Sequence, residues 1–226
     1  MYRLILSFLL LISFSTTAQI NEIGVYGGGS NFIGDVGETS YISPNELAFG
    51  LVYKWNRSTR HSWRASITVA KITADDDRSD IASRQQRDYD FENTVKEISL
   101  GLEFNFFEFD LHQLDRQFTP YLYVGLSYTN YKGLFYEAPN VTKSDSDHGT
   151  LSIPFAFGVK KSLSKNLILG FEIAPRYTFA DDIDGSSPTN EGLKSLKFGN
   201  INSNDWYVFT GFTLTYTFGR KPCFCD

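Results

Sequence analysis

Three features of this sequence predict an all-β fold: an eight-stranded antiparallel up-and-down transmembrane barrel with long extracellular loops and short periplasmic turns. Eight segments alternate apolar residues with polar or small ones at a period of two. The links between them run long, short, long, short, long, short, long, as in bacterial outer-membrane barrels with their even strand count. An export signal precedes them, and no later apolar run is long enough to cross a bilayer as a helix.

The signal comprises residues 1–18. Met1-Tyr2-Arg3 is a short cationic start, residues 4–14 are an apolar run too short to span, and Thr16-Thr17-Ala18 is a small-residue cleavage site. The residue directly after that site is Gln19 and not a cysteine, which argues against a lipid anchor. Residues 19–218 are then the barrel and 219–226 a periplasmic tail. The chain carries 21 basic and 26 acidic side chains; without Arg3 the balance is 20 against 26, or −6, which argues against nucleic acid as a partner. Tyr and Phe dominate an aromatic content of 16%, as expected for strands with aromatic margins.

The first strand covers about 20–29, with Ile23 and Val25 on one face and Glu22, Gly24 and Tyr26 on the other. After a polar segment, 30–45, the second sets Phe49, Leu51, Tyr53 and Trp55 against Ala48, Gly50, Val52 and Lys54. A tight link, 56–60, leads to the third, with Trp63, Ala65, Ile67 and Val69 against Arg64, Ser66 and Thr68. Residues 71–93 are too hydrophilic to bury and read as a solvated loop. The fourth strand opposes Ile98, Leu100, Leu102, Phe104 and Phe106 to Glu97, Ser99, Gly101, Glu103 and Asn105. Past the link 110–117, the fifth opposes Leu122, Val124, Leu126 and Tyr128 to Tyr121, Tyr123, Gly125 and Ser127. A third polar loop spans 130–149. The sixth strand sets Leu151, Ile153, Phe155, Phe157 and Val159 against Ser152, Pro154, Ala156, Gly158 and Lys160. A short link, 162–166, precedes the seventh, with Leu169, Phe171 and Ile173 against Gly170, Glu172 and Arg176. A fourth loop, 180–204, returns the chain to the closing strand, where Trp206, Val208, Thr210, Phe212, Leu214, Tyr216 and Phe218 form the greasy face.

If that face meets lipid, the charged strand residues all point inward: Glu22, Lys54, Arg64, Glu97, Glu103, Lys160, Glu172 and Arg176, four acids and four bases. An eight-stranded barrel is just wide enough for side chains to fill, and buried charges persist when paired. A salt-bridged plug is therefore expected rather than a channel. A soluble eight-stranded barrel or sandwich is the structural alternative; it would bury the broad aromatic face and expose the small polar one.

Chemistry-bearing motifs are sparse. His148 beside Asp145, Ser146 and Asp147 raises a hydrolase site at the outer rim, but neighbours in a loop seldom hold triad geometry. Asp75-Asp76-Asp77 with Asp80, and Asp181-Asp182 with Asp184 and Gly185, are fragments of calcium loops without the full ligand spacing, and read as solvated. No cofactor and no metal site is expected. Cys223 and Cys225, the only cysteines, sit in the tail. They admit a strained mutual ring, a metal half-site or a bridge to another protein. A pair this close staples almost no chain entropy, which suits the attachment of a partner better than a fold staple.

The stretch Tyr26-Gly27-Gly28-Gly29-Ser30-Asn31-Phe32-Ile33-Gly34-Asp35 and the terminal Gly219-Arg220-Lys221-Pro222-Cys223-Phe224-Cys225 resemble the PorG-like outer-membrane barrels of the type IX secretion system. The resemblance implies a non-enzymatic component of the Gram-negative outer membrane with both mature termini in the periplasm. It implies as partners outer-membrane lipid and the periplasmic ring of the PorK lipoprotein and PorN, with no small-molecule substrate. Under it, Cys223 or Cys225 would form a disulfide with the ring lipoprotein, and Arg220 and Lys221 would add charge contacts. Links 56–60, 110–117 and 162–166 are secondary contacts. The alternatives are a small OmpA-like or adhesive barrel working through its outer loops, and a lipid-modifying barrel enzyme.

Overall fold

The structure, a computed structural model, describes residues 20–111, 116–137, 141–200 and 202–219. Residues 1–18, His112, Arg220, Lys221, Cys223 and Cys225 lie outside them. Eight strands close into one antiparallel barrel in sequence order: β1 Ile20–Ile33, β2 Glu46–Asn56, β3 His61–Asp75, β4 Asp90–Asn105, β5 Phe118–Glu137, β6 Val141–Ser162, β7 Leu167–Thr178 and β8 Trp206–Phe218. The β1–β8 ladder, from Asn21 opposite Phe218 to Ile33 opposite Trp206, seals the wall and leaves no free edge.

Alternation decides what each face meets. Phe49, Leu51, Ile98, Leu126 and Phe157 are each at least 60% exposed on the outside, while Lys54, Glu97, Glu103, Tyr123 and Lys160 on the same strands are buried inside. An apolar band of this extent on a closed β-wall suits hydrocarbon rather than water, which excludes the soluble barrel. Inside, two cross-strand glycine pairs, Gly28 with Gly211 and Gly101 with Gly125, let a tyrosine lie across the wall. A Cβ on Gly211 would come within 2.8 Å of the Tyr26 hydroxyl, and one on Gly125 within 2.8 Å of the Tyr123 hydroxyl.

Three expectations about the loops need correction. Residues 130–149 are no loop: β5 and β6, 20 and 22 residues long, rise as a paired hairpin beyond the roughly 9–11 residues needed to span a bilayer. Residues 71–93 are not merely solvated. β3 continues to Asp75, a 3₁₀ turn and a short helix α1 (Ala82–Arg87) follow, and Asp76, Tyr89 and Phe91 are buried. The 181–184 segment is likewise tucked in, with Asp182 and Asp184 buried. Together these pieces cap the barrel mouth around Phe32, Val36, Ile72, Tyr89, Phe91, Leu134 and Ile183.

The cap is held by bonds between loops distant in sequence. Arg84 donates to the carbonyls of Gly34 and Gly37 at 2.9 and 2.8 Å, and Arg87 to Asp76 Oδ2 and the Asp35 carbonyl at 2.6 and 2.8 Å. Val208, placed on the greasy face by alternation, is not open to lipid. It lies in a cleft of about 710 Å³ shared with Ile33, Tyr41, Ile42, Pro175 and Trp206.

Candidate functional site

Charged side chains gather at two levels in the lumen. Nearer the short turns, Glu103 receives Lys54 Nζ and Lys160 Nζ, each 2.7 Å from a carboxylate oxygen, with Arg64 at 3.8 Å. Arg64 forks onto Glu172 at 2.6 and 2.7 Å, and the Tyr121 hydroxyl donates to the same carboxylate at 2.7 Å. Nearer the cap, Arg176 meets Glu97 at 3.2 Å, and Tyr207 donates to Glu97 at 2.7 Å. The guanidinium of Arg176 also stands 4.2 Å from the centre of the Phe209 ring. All eight inward charges expected from the alternation, Glu22 included, are at most 4% exposed.

Glu22 corrects the expectation of full pairing. It is completely buried and directly opposite Lys54 in the β1–β2 ladder, yet no cation among the described residues contacts it. Lys54 turns instead to Glu103, which must also separate it from Arg64, its like-charged opposite on β3. Glu22 is satisfied by neutral donors, Asn56 Nδ2 at 3.0 Å and Thr215 Oγ1 at 2.8 Å. Below, Lys54, Lys160 and Arg64 share two acids, Glu103 and Glu172, and above, Arg176 faces Glu97, so paired side chains fill the lumen as expected for eight strands.

The cap holds a second concentration of charge. The carboxylates of Asp35, Asp181, Asp184 and Asp205 lie near one another, and among the described residues no lysine or arginine forms an ion pair with them. Burial and mutual repulsion push the Asp181 and Asp184 carboxyls up to about 6, and Asp205 well above the usual carboxylate range. Asp184 Oδ2 is buried with no hydrogen-bond partner among the described residues, whereas Asp205 Oδ2 accepts from the Ile183 amide at 3.0 Å.

Beside that cluster the structure brings together residues that sequence reasoning had set aside. His148 Nδ1 lies 2.6 Å from Asp182 Oδ2, and Ser146 Oγ lies 2.8 Å from His148 Nε2. The acid is Asp182, from the β7–β8 loop, and not Asp145, which accepts from Asn190, nor Asp147. The signal for this contact was absent from the sequence, because it spans 34 residues between separate elements.

The model of a family described as a domain of unknown function, DUF6089, matches residues 2–226. The chain belongs to the DUF6089 family. No curated protein matches this DUF6089 chain. Solved structures similar to it include the attachment invasion locus protein Ail of Yersinia pestis, at 11% identity and a TM-score of 0.48, covering 89% of this chain and 99% of that one. The N-terminal β-barrel domain of Pseudomonas aeruginosa OprF has 10% identity and a TM-score of 0.46, covering 90% and 100%. A major outer-membrane protein of Thermus thermophilus has 15% identity and a TM-score of 0.45, covering 89% and 99%. The DUF6089 chain is a closed eight-stranded barrel with an outward apolar band, a charged plug and a cap of its own loops.

Proposed function

We propose that this barrel is a scaffold of the type IX secretion machinery that ties the periplasmic PorK/PorN ring to the outer membrane. The observation that carries the scaffold reading is the solid lumen: with Glu103, Glu172 and Glu97 locked to their cations, work is left to the two ends. β1 begins and β8 ends at the same rim as the ends of β2, β4 and β6 and the starts of β3, β5 and β7. Gly219, the last described residue, follows β8 at that rim, and in this reading both mature termini face the periplasm. The ring as partner rests on the resemblance of the Gly-rich first strand and the Cys-x-Cys tail to PorG-like barrels.

In this reading Cys223 or Cys225 bridges to a cysteine of the ring lipoprotein, while Arg220 and Lys221 supply charge contacts. The turns at the same rim, including the exposed Phe106, Phe107 and Leu163, are secondary contacts. Non-reducing gels of membrane extracts test the bridge by comparing wild type with Cys223→Ser and Cys225→Ser. A heavier, reductant-sensitive band containing the ring lipoprotein, lost in one of the two variants, is expected. Its absence sinks the bridge; failure to recover ring proteins from mild detergent, with or without reductant, sinks the partner.

A further inference from the structure

We propose that Ser146, His148 and Asp182 form a serine-nucleophile site at the outer rim that cleaves carboxylic esters. Ser146 and His148 lie two apart on β6, so both project from the face that lines the lumen lower down, here raised above the wall by the long hairpin. Asp182 approaches from the opposite side on the β7–β8 loop. Its side chain is 4% exposed, and its other oxygen accepts from the Tyr131 hydroxyl, which fixes the carboxylate. With Nδ1–H donated to Asp182, Nε2 is left to accept from the serine hydroxyl.

The histidine is also placed sterically. Its ring lies edge-on to Tyr131, 6.0 Å between centroids, and against Gly133, where an added Cβ would come within 2.4 Å of the imidazole. The ladder register shifts just after Gly133. Nucleophile to base and base to carboxylate are therefore both in reach, and Ser146 is exposed. His148 and Asp182 line an open cleft of about 550 Å³ whose one lysine or arginine among the described residues is Lys197, with its Nζ donating to Ser187 Oγ at 3.2 Å.

The step balances without a cofactor. Ser146 Oγ bonds to the ester carbonyl carbon while its proton passes to His148 Nε2. The ester C–O bond breaks, and the alcohol leaves with that proton. Water then attacks the acyl-serine, giving its proton to His148, which returns it to Ser146 as the carboxylic acid departs.

The test uses the full chain folded in detergent, with p-nitrophenyl acetate as substrate and a fluorophosphonate as covalent probe. Heat-modifiable migration confirms that each variant is closed. Wild type is expected to cleave the ester and to carry the probe on the Ser146 peptide, and Ser146→Ala to lose both. Asp182→Asn is expected to slow both at least about a hundredfold, the scale of losing an oriented general base. Gly133→Val should act through the displaced imidazole and lower labelling in a barrel that still migrates as folded. Folded wild type that neither cleaves the ester nor takes the probe overturns the proposal, as does labelling that survives Ser146→Ala.

Discussion

Removing one charge from the lumen distinguishes a true ion-pair plug from polar filling. In Glu103→Gln, Lys54 and Lys160 lose the carboxylate they share, each from 2.7 Å and each with at most 2% of its side chain exposed. Breaking a buried pair by removing one partner costs about 3–5 kcal/mol, because the remaining charge is stranded away from water. At about 2–3 kcal/mol per molar urea for a chain of this size, the unfolding midpoint should fall by about 1–2.5 M. Glu22→Gln is the matched control: equally buried, but accepting, among the described residues, only from Asn56 and Thr215. A glutamine keeps one of those bonds and the Thr215 hydroxyl can turn to serve the other, so the cost stays within about 1 kcal/mol. Urea unfolding followed by tryptophan fluorescence and by heat-modifiable migration reads both. Equal shifts in the two variants would refute the assignment of Glu103 as the shared counterion.

The cap acids predict a pH dependence of definite sign. Carboxyls raised to about 6 in the folded cap bind protons more tightly than when the cap is open, so their contribution to stability is present at low pH and is lost as pH rises from about 4 through 6. Hydrogen exchange in the 179–205 loop should therefore be faster at about pH 7.5 than at about pH 5 once the intrinsic rate is divided out, and Asp205→Asn, which keeps an acceptor for the Ile183 amide, should remove much of that difference. Gly211→Val should block closure, since even a Cβ there lies 2.6 Å from both the Gly27 carbonyl oxygen and Gly28 Cα; a barrel that still acquires heat-modifiable migration at wild-type yield counts against that packing. Arg84→Ala should loosen the cap without opening the wall, seen as faster proteolysis in 34–45 with unchanged midpoint of unfolding.

What could be read in the sequence and what could not divide along one physical line. Side-chain alternation is a local property of the backbone, so the strand order, the lipid face and all eight inward charges followed from neighbours two residues apart. Partner choice inside the lumen did not follow, because it depends on reach across the barrel. Glu22 and Lys54 are ladder opposites, yet the lysine spans to Glu103, 49 residues away. Hydrophilic composition misled in the outer segments for the same reason. Asp76 and Asp182 look solvated until Arg87 and Tyr131 arrive from other elements, and the Asn200 amide reaches Asp35 across 165 residues. The relay of Ser146, His148 and Asp182 is the sharpest instance. Its first two members are two residues apart and were visible, but the carboxylate that turns two polar residues into an oriented nucleophile and base belongs to a loop whose position is set only once the barrel has closed.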